Sequence, residues 1–105
     1  SNLNSETTLN SSSSTSVVTE FKLEQNFPNP FNPSTVISFS IPEASRVKLS
    51  VYNVLWQEVA VLVNEFVNAG RYSKSFNAKD LSSGLYIYTI EAGSVSISKK
   101  MTLLK

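Results

Sequence analysis

The chain has 105 residues, nine Lys and Arg against eight Asp and Glu, a net charge of +1, and neither Cys nor His. That length accommodates one domain, and the missing residue types exclude a disulfide framework, thiolate or imidazole metal centres, Cys nucleophiles and His-dependent triads. The small charge excludes a nucleic-acid surface and a polybasic membrane patch, and the longest apolar run, Val59-Ala60-Val61-Leu62-Val63, is far short of the ~20 residues of a membrane span.

Residues 1–20 hold seven Ser, four Thr and three Asn, with Glu6 and Glu20 as their charges. Such a tract buries too little apolar surface to offset its ordering entropy, so a flexible linker from a larger parent protein is expected there. No secretory leader stands at the front, which reads as a mature or truncated chain.

From Phe21 onward the apolar period is two, the spacing of half-buried strands. Phe21, Leu23 and Phe27 share a parity. The hexapeptide Pro28-Asn29-Pro30-Phe31-Asn32-Pro33 follows; proline cannot donate to a ladder, so a stiff crossing loop is expected, pinned to the core by Phe27 and Phe31. Ile37, Phe39 and Ile41 then alternate with serines, and Val47, Leu49 and Val51 with Arg46, Lys48 and Ser50. Val59, Val61 and Val63 continue after Glu58, and a further strand carries Tyr72, Lys74 and Phe76. Tyr86, Tyr88 and Ile90 lie opposite Leu85 and Ile87, the mark of a central strand, and Val95, Ile97, Met101 and Leu103 share the last parity. Each glycine stands where a turn is needed, after Asn68-Ala69, Ser82-Ser83 and Glu91-Ala92.

Seven short strands without a helix predict an all-β fold, an immunoglobulin-like antiparallel sandwich over residues 21–105, with a small barrel as the alternative. The core is expected to contain Ile37, Phe39, Val47, Leu49, Val51, Tyr86, Tyr88 and Ile97. Tyr86, just after a Leu-containing corner, suits a tyrosine corner whose hydroxyl bonds back to upstream backbone; otherwise it is a core aromatic with a wet hydroxyl.

The carboxylates are scattered and include a single Asp. There is no glycine-rich phosphate loop and no cluster of calcium-type oxygen ligands. Neither an enzyme nor a cofactor is expected. Two features resist a purely structural reading. Lys99, Lys100 and Lys105 either protect a sheet edge or form a contact surface, and Lys99 has the inward parity unless a bulge shifts it. Trp56, where a strand should be ending, is either half-packed or marks a contact surface.

Three stretches together resemble the type A C-terminal sorting domains of the type IX secretion system. The opening is Asn26-Phe27-Pro28-Asn29-Pro30-Phe31-Asn32-Pro33-Ser34-Thr35. Val51-Tyr52-Asn53-Val54-Leu55 with Gln57-Glu58-Val59-Ala60 supplies the middle. Ser83-Gly84-Leu85-Tyr86-Ile87-Tyr88 with Lys99-Lys100-Met101 and Leu103-Leu104-Lys105 supplies the ending. The resemblance covers residues 21–105, with the stretches in order and at the right spacing. It departs at Trp56, where Gly is common, and at Lys74, where an apolar residue is usual; the latter suggests an edge strand from which Lys74 snorkels.

The resemblance implies a non-catalytic signal that sends the N-terminal cargo domains of its parent from the periplasm across the outer membrane of a Gram-negative bacterium. A surface sortase then removes it. The implied partners are the outer-membrane type IX translocon and that sortase, with no nucleic acid and no transmembrane segment; self-contact through Trp56 is a further expectation. Recognition is expected at Lys99, Lys100 and Lys105, with Met101 and Leu103 anchoring the strand and Leu104 beside them. Pro28, Asn29, Pro30, Phe31, Asn32 and Pro33 come next. Cleavage is expected between Thr7 and Ser16, around Ser11, where small residues lack a ladder. Two other readings stay open: the related immunoglobulin-like assembly module of flagellar hook-capping proteins, and a carbohydrate-binding module, which requires at least two coplanar exposed rings.

Overall fold

The structure, a computed structural model, describes residues 20–105. The linker expected over 1–20, Glu20 apart, and the cleavage stretch Thr7–Ser16 lie outside the described residues.

Seven strands form: β1 (Lys22–Leu23), β2 (Ser34–Ile41), β3 (Ser45–Tyr52), β4 (Glu58–Val67), β5 (Gly70–Asn77), β6 (Gly84–Ala92) and β7 (Val95–Leu103). They make two antiparallel sheets, ordered β1-β2-β5 and β4-β3-β6-β7, packed as the expected β-sandwich. In the constant-type immunoglobulin order the fourth strand belongs with the first, second and fifth. Here the turn after β3 lays β4 alongside β3 instead, in the other sheet. Among the described residues no helix is long and apolar enough to cross a membrane.

The alternation builds the core as the pleat requires. Ile37, Phe39 and Ile41 of β2, Val47, Leu49 and Val51 of β3, and Tyr86, Tyr88 and Ile90 of β6 are all buried. β6 is central, flanked by β3 and β7. The hairpin from β6 to β7 turns on Gly93 and Ser94, and Gly93 holds φ at +61°, a conformation that tight hairpins demand and glycine adopts without strain. The tyrosine corner is present: Tyr86 Oη donates to Ser82 O at 2.7 Å.

Four expectations are corrected. Ile97 is only partly buried, because β7 is an edge strand and its outer half has fewer neighbours. Val59, Val61 and Val63 do not share one face. The pairing of β3 with β4 slips between Leu49 and Ser50 and again between Val51 and Tyr52, so Val63 opposes Leu49 in the core while Val61 opposes Ser50 and is exposed. The first strand is shorter than its apolar pattern suggests: β1 has two residues, and pairing resumes only at an isolated bridge between Phe27 and Val36. Lastly, Phe31 is 1% exposed but Phe27 is 80% exposed, so one ring pins the loop and the other does not.

Three of the four outer strands carry a protective feature of the kind that discourages edge-to-edge pairing. The bulges bend β4. β5 is the edge expected from Lys74, which is half-buried opposite Ile37. On β7 the ladder to β6 runs without a register shift, leaving Lys99 half-buried opposite Tyr88, on the inward parity.

Candidate recognition surface

Antiparallel pairing brings the three singled-out stretches to one end of the sandwich. The start of β2 lies beside the end of β5, and the end of β3 beside the start of β6, which itself adjoins the end of β7. The loop before β2 closes this end. Its Pro33 O accepts from Ala78 N at 2.8 Å, and Phe31 packs its ring 6.1 Å from that of Phe76.

That loop is held from inside by Asn26, which is 2% exposed. Its N–H donates to Tyr88 Oη at 2.8 Å, and its Nδ2 donates to Thr35 Oγ1 at 3.0 Å and Pro28 O at 3.1 Å. Its Oδ1 accepts from Gln25 Nε2 at 2.7 Å, and Thr35 Oγ1 donates to Pro28 O at 2.9 Å. Tyr88 Oη in turn donates to Glu24 O at 2.8 Å. Burial pushes the Tyr88 phenol up to about 12; the Asn26 N–H works against this and the nearby Glu24 charge adds to it. Buried polar groups satisfied in this way fix one geometry, since each alternative leaves a group unpaired.

Outside, the loop runs as a strap along β7. Phe31 N donates to Thr102 O and Leu104 N donates to Phe31 O, both at 2.9 Å, making a parallel bridge between Phe31 and Leu103. Two side chains extend this pairing: Gln25 Nε2 donates to Lys100 O at 2.8 Å, and Thr102 N donates to Asn29 Oδ1 at 3.0 Å. The two stretches expected to carry recognition are therefore one structural unit.

Within that unit the residues divide by exposure. Phe31, Met101 and Leu103 are buried and serve to place the others. Lys99 and Pro33 are half-buried; Pro28, Asn29, Pro30, Asn32, Lys100, Leu104 and Lys105 are exposed. Lys105 is also tied down: its N–H donates to Ser83 Oγ at 3.1 Å, and its Nζ donates to Lys79 O at 2.6 Å. Gln25, Asn26 and Tyr88 as a bonded group were missed from sequence. Asn26 was legible only as the first residue of the opening stretch, and no spacing signals its burial.

The middle stretch forms the turn from β3 to β4 around Asn53. Asn53 Oδ1 accepts from Leu55 N at 2.9 Å and Gln57 N at 3.0 Å, and its Nδ2 donates to Gln57 Oε1 at 2.7 Å. Asn53 N donates to Gln57 O and Trp56 N to Asn53 O, both at 3.0 Å. Trp56 takes φ +60°, alone among the described non-glycine residues, and is 63% exposed. Its ring lies 5.8 Å from that of Tyr52 at 57°, so the pair is not the coplanar platform that the carbohydrate reading requires. Among the described residues no three Asp or Glu side chains stand close enough to hold a metal ion.

Residues 25–103 match the family described as the secretion system C-terminal sorting domain. No protein of curated function is similar to the chain.

Proposed function

Since the chain belongs to the secretion system C-terminal sorting domain family, and so carries a type IX signal for secretion to the bacterial cell surface or beyond, we propose that it acts as a folded address that performs no reaction itself. The translocon in the outer membrane of a Gram-negative bacterium reads the exposed part of the strap and terminal strand after the parent protein reaches the periplasm. A sortase then cuts within Thr7–Ser16 and releases the sandwich from its N-terminal cargo. The observation that carries this reading is the family match over 25–103. The union of strap and terminal strand supports the placement of the surface, because it presents Asn29, Pro30, Lys100 and Leu104 in fixed relation.

A reporter with residues 1–105 fused to its C-terminus, expressed in a type IX-competent strain, is expected at the cell surface, with a released fragment beginning between residues 7 and 16. Retention in the periplasm would refute the address, and a dominant N-terminus inside residues 27–105 would refute the cleavage assignment.

Replacing Lys99, Lys100 and Lys105 by Gln is expected to reduce export while shifting the thermal midpoint little, since side chains with access to water contribute roughly 0–1 kcal/mol through their charge. Undiminished export of the triple variant moves recognition to the exposed residues of the Pro28–Pro33 loop.

A further inference from the structure

Trp56 occupies a conformation that its side chain does not favour and that burial does not offset. At φ +60° an L-residue brings its Cβ against the following carbonyl, which strains the backbone. A strained residue normally persists because surrounding packing dictates it, yet this ring is 63% exposed. The turn itself is held by Asn53, whose side chain binds Leu55 N and Gln57 N without any help from the indole. What the indole does instead is wall a hollow of about 180 Å³ on the outer face of the four-stranded sheet, with Ile87, Ser98, Lys99 and Lys100 as the remaining lining.

The chemistry of that hollow is specific. Ligand pockets for small molecules run to roughly 300–1,000 Å³, so this one has room for a single large side chain. Indole and Ile87 supply its apolar contact. At its rim Lys100, on the outer face beside Ile87, has no acidic partner among the described residues, whereas Glu58, at the far side of the same turn, is taken by Lys48 at 3.2 Å. An apolar hollow with an uncompensated cation on one side complements an apolar group next to an anion.

We propose that this hollow docks a segment of a partner protein that presents one large apolar side chain beside a carboxylate. The indole covers the apolar side chain and Lys100 receives the acid. This goes beyond the sorting assignment and does not depend on it.

Trp56 is the single tryptophan, so its emission reports this site alone. In titrations of the full chain, the capped peptide acetyl-Gly-Glu-Phe-Glu-Gly-amide is expected to shift that emission to the blue and shield it from acrylamide. The effect should weaken as salt rises. The matched peptide with Lys in place of Glu should leave the emission unchanged. Lys100→Gln should weaken the acidic peptide several-fold. Trp56→Gly, followed by calorimetry, should abolish binding while leaving the thermal midpoint equal or higher, because glycine relieves the strain.

Equal response to both peptides, or none to either, overturns the proposal. So does an emission that shifts with protein concentration alone, which would assign the surface to self-contact between two copies. A lower thermal midpoint for Trp56→Gly would make the indole a structural residue and likewise overturn it.

Discussion

Phe31→Ala is expected to destabilise the domain by roughly 3–5 kcal/mol, the range for removing a fully buried phenylalanine. The ring is 1% exposed and lies against Phe76, in a loop whose backbone is bonded to both Thr102 and Leu104. Its loss empties the point where the two sheets and the strap meet, so the Phe31 and Leu104 amides should also exchange with solvent faster. Phe27→Ala is the matched control: at 80% exposure it removes little buried area and should change stability by less than about 0.5 kcal/mol. Urea unfolding of both variants decides it. A loss below about 1 kcal/mol for Phe31→Ala would mean that the strap is held by its polar contacts alone.

Tyr88→Phe is expected to cost about 1–3 kcal/mol, since it leaves the buried Asn26 N–H without an acceptor and Glu24 O without a donor. Its pH dependence has a definite sign. The phenol is raised in the folded state from 10.0 to about 12, because ionisation would place a charge in the dry interior. The neutral form is therefore favoured by folding. The associated stability, roughly 2–3 kcal/mol, is fully present below pH 10 and is lost as the pH rises through about 12. The wild-type protein should accordingly lose its stability advantage over Tyr88→Phe across that interval in parallel urea titrations. An advantage that stays constant would show that the ring has solvent access.

Much of the sandwich was legible because strand pleating is local. Ile37, Phe39 and Ile41 alternate with serines in the chain and face inward in the structure for the same geometric reason. The tyrosine corner was also legible, since Ser82 and Tyr86 are four residues apart and close one short turn. In β4, by contrast, alternation misled: a bulge is defined by two residues opposing one, and the opposing residue belongs to β3.

The candidate surface divides along the same line. Its composition, prolines followed much later by lysines and leucines, was readable and carried the family resemblance. Its construction was not. Phe31 meets Leu103 across most of the chain, and Asn26 finds its acceptor on Tyr88, 62 residues away. Nothing local distinguishes the Phe27 ring from the Phe31 ring; which one turns inward depends on the cavity that β5 and β7 provide.

The strand count, the inward parities of β2, β3 and β6, and the family are readable along the chain, since they depend on neighbouring residues or on motifs in order. The sheet assignment of β4, the burial of Asn26 and Phe31, the strap on β7 and the hollow beside Trp56 arise only on folding. Each of these is a pairing between distant segments, and its free energy exists only once the two have been brought into contact.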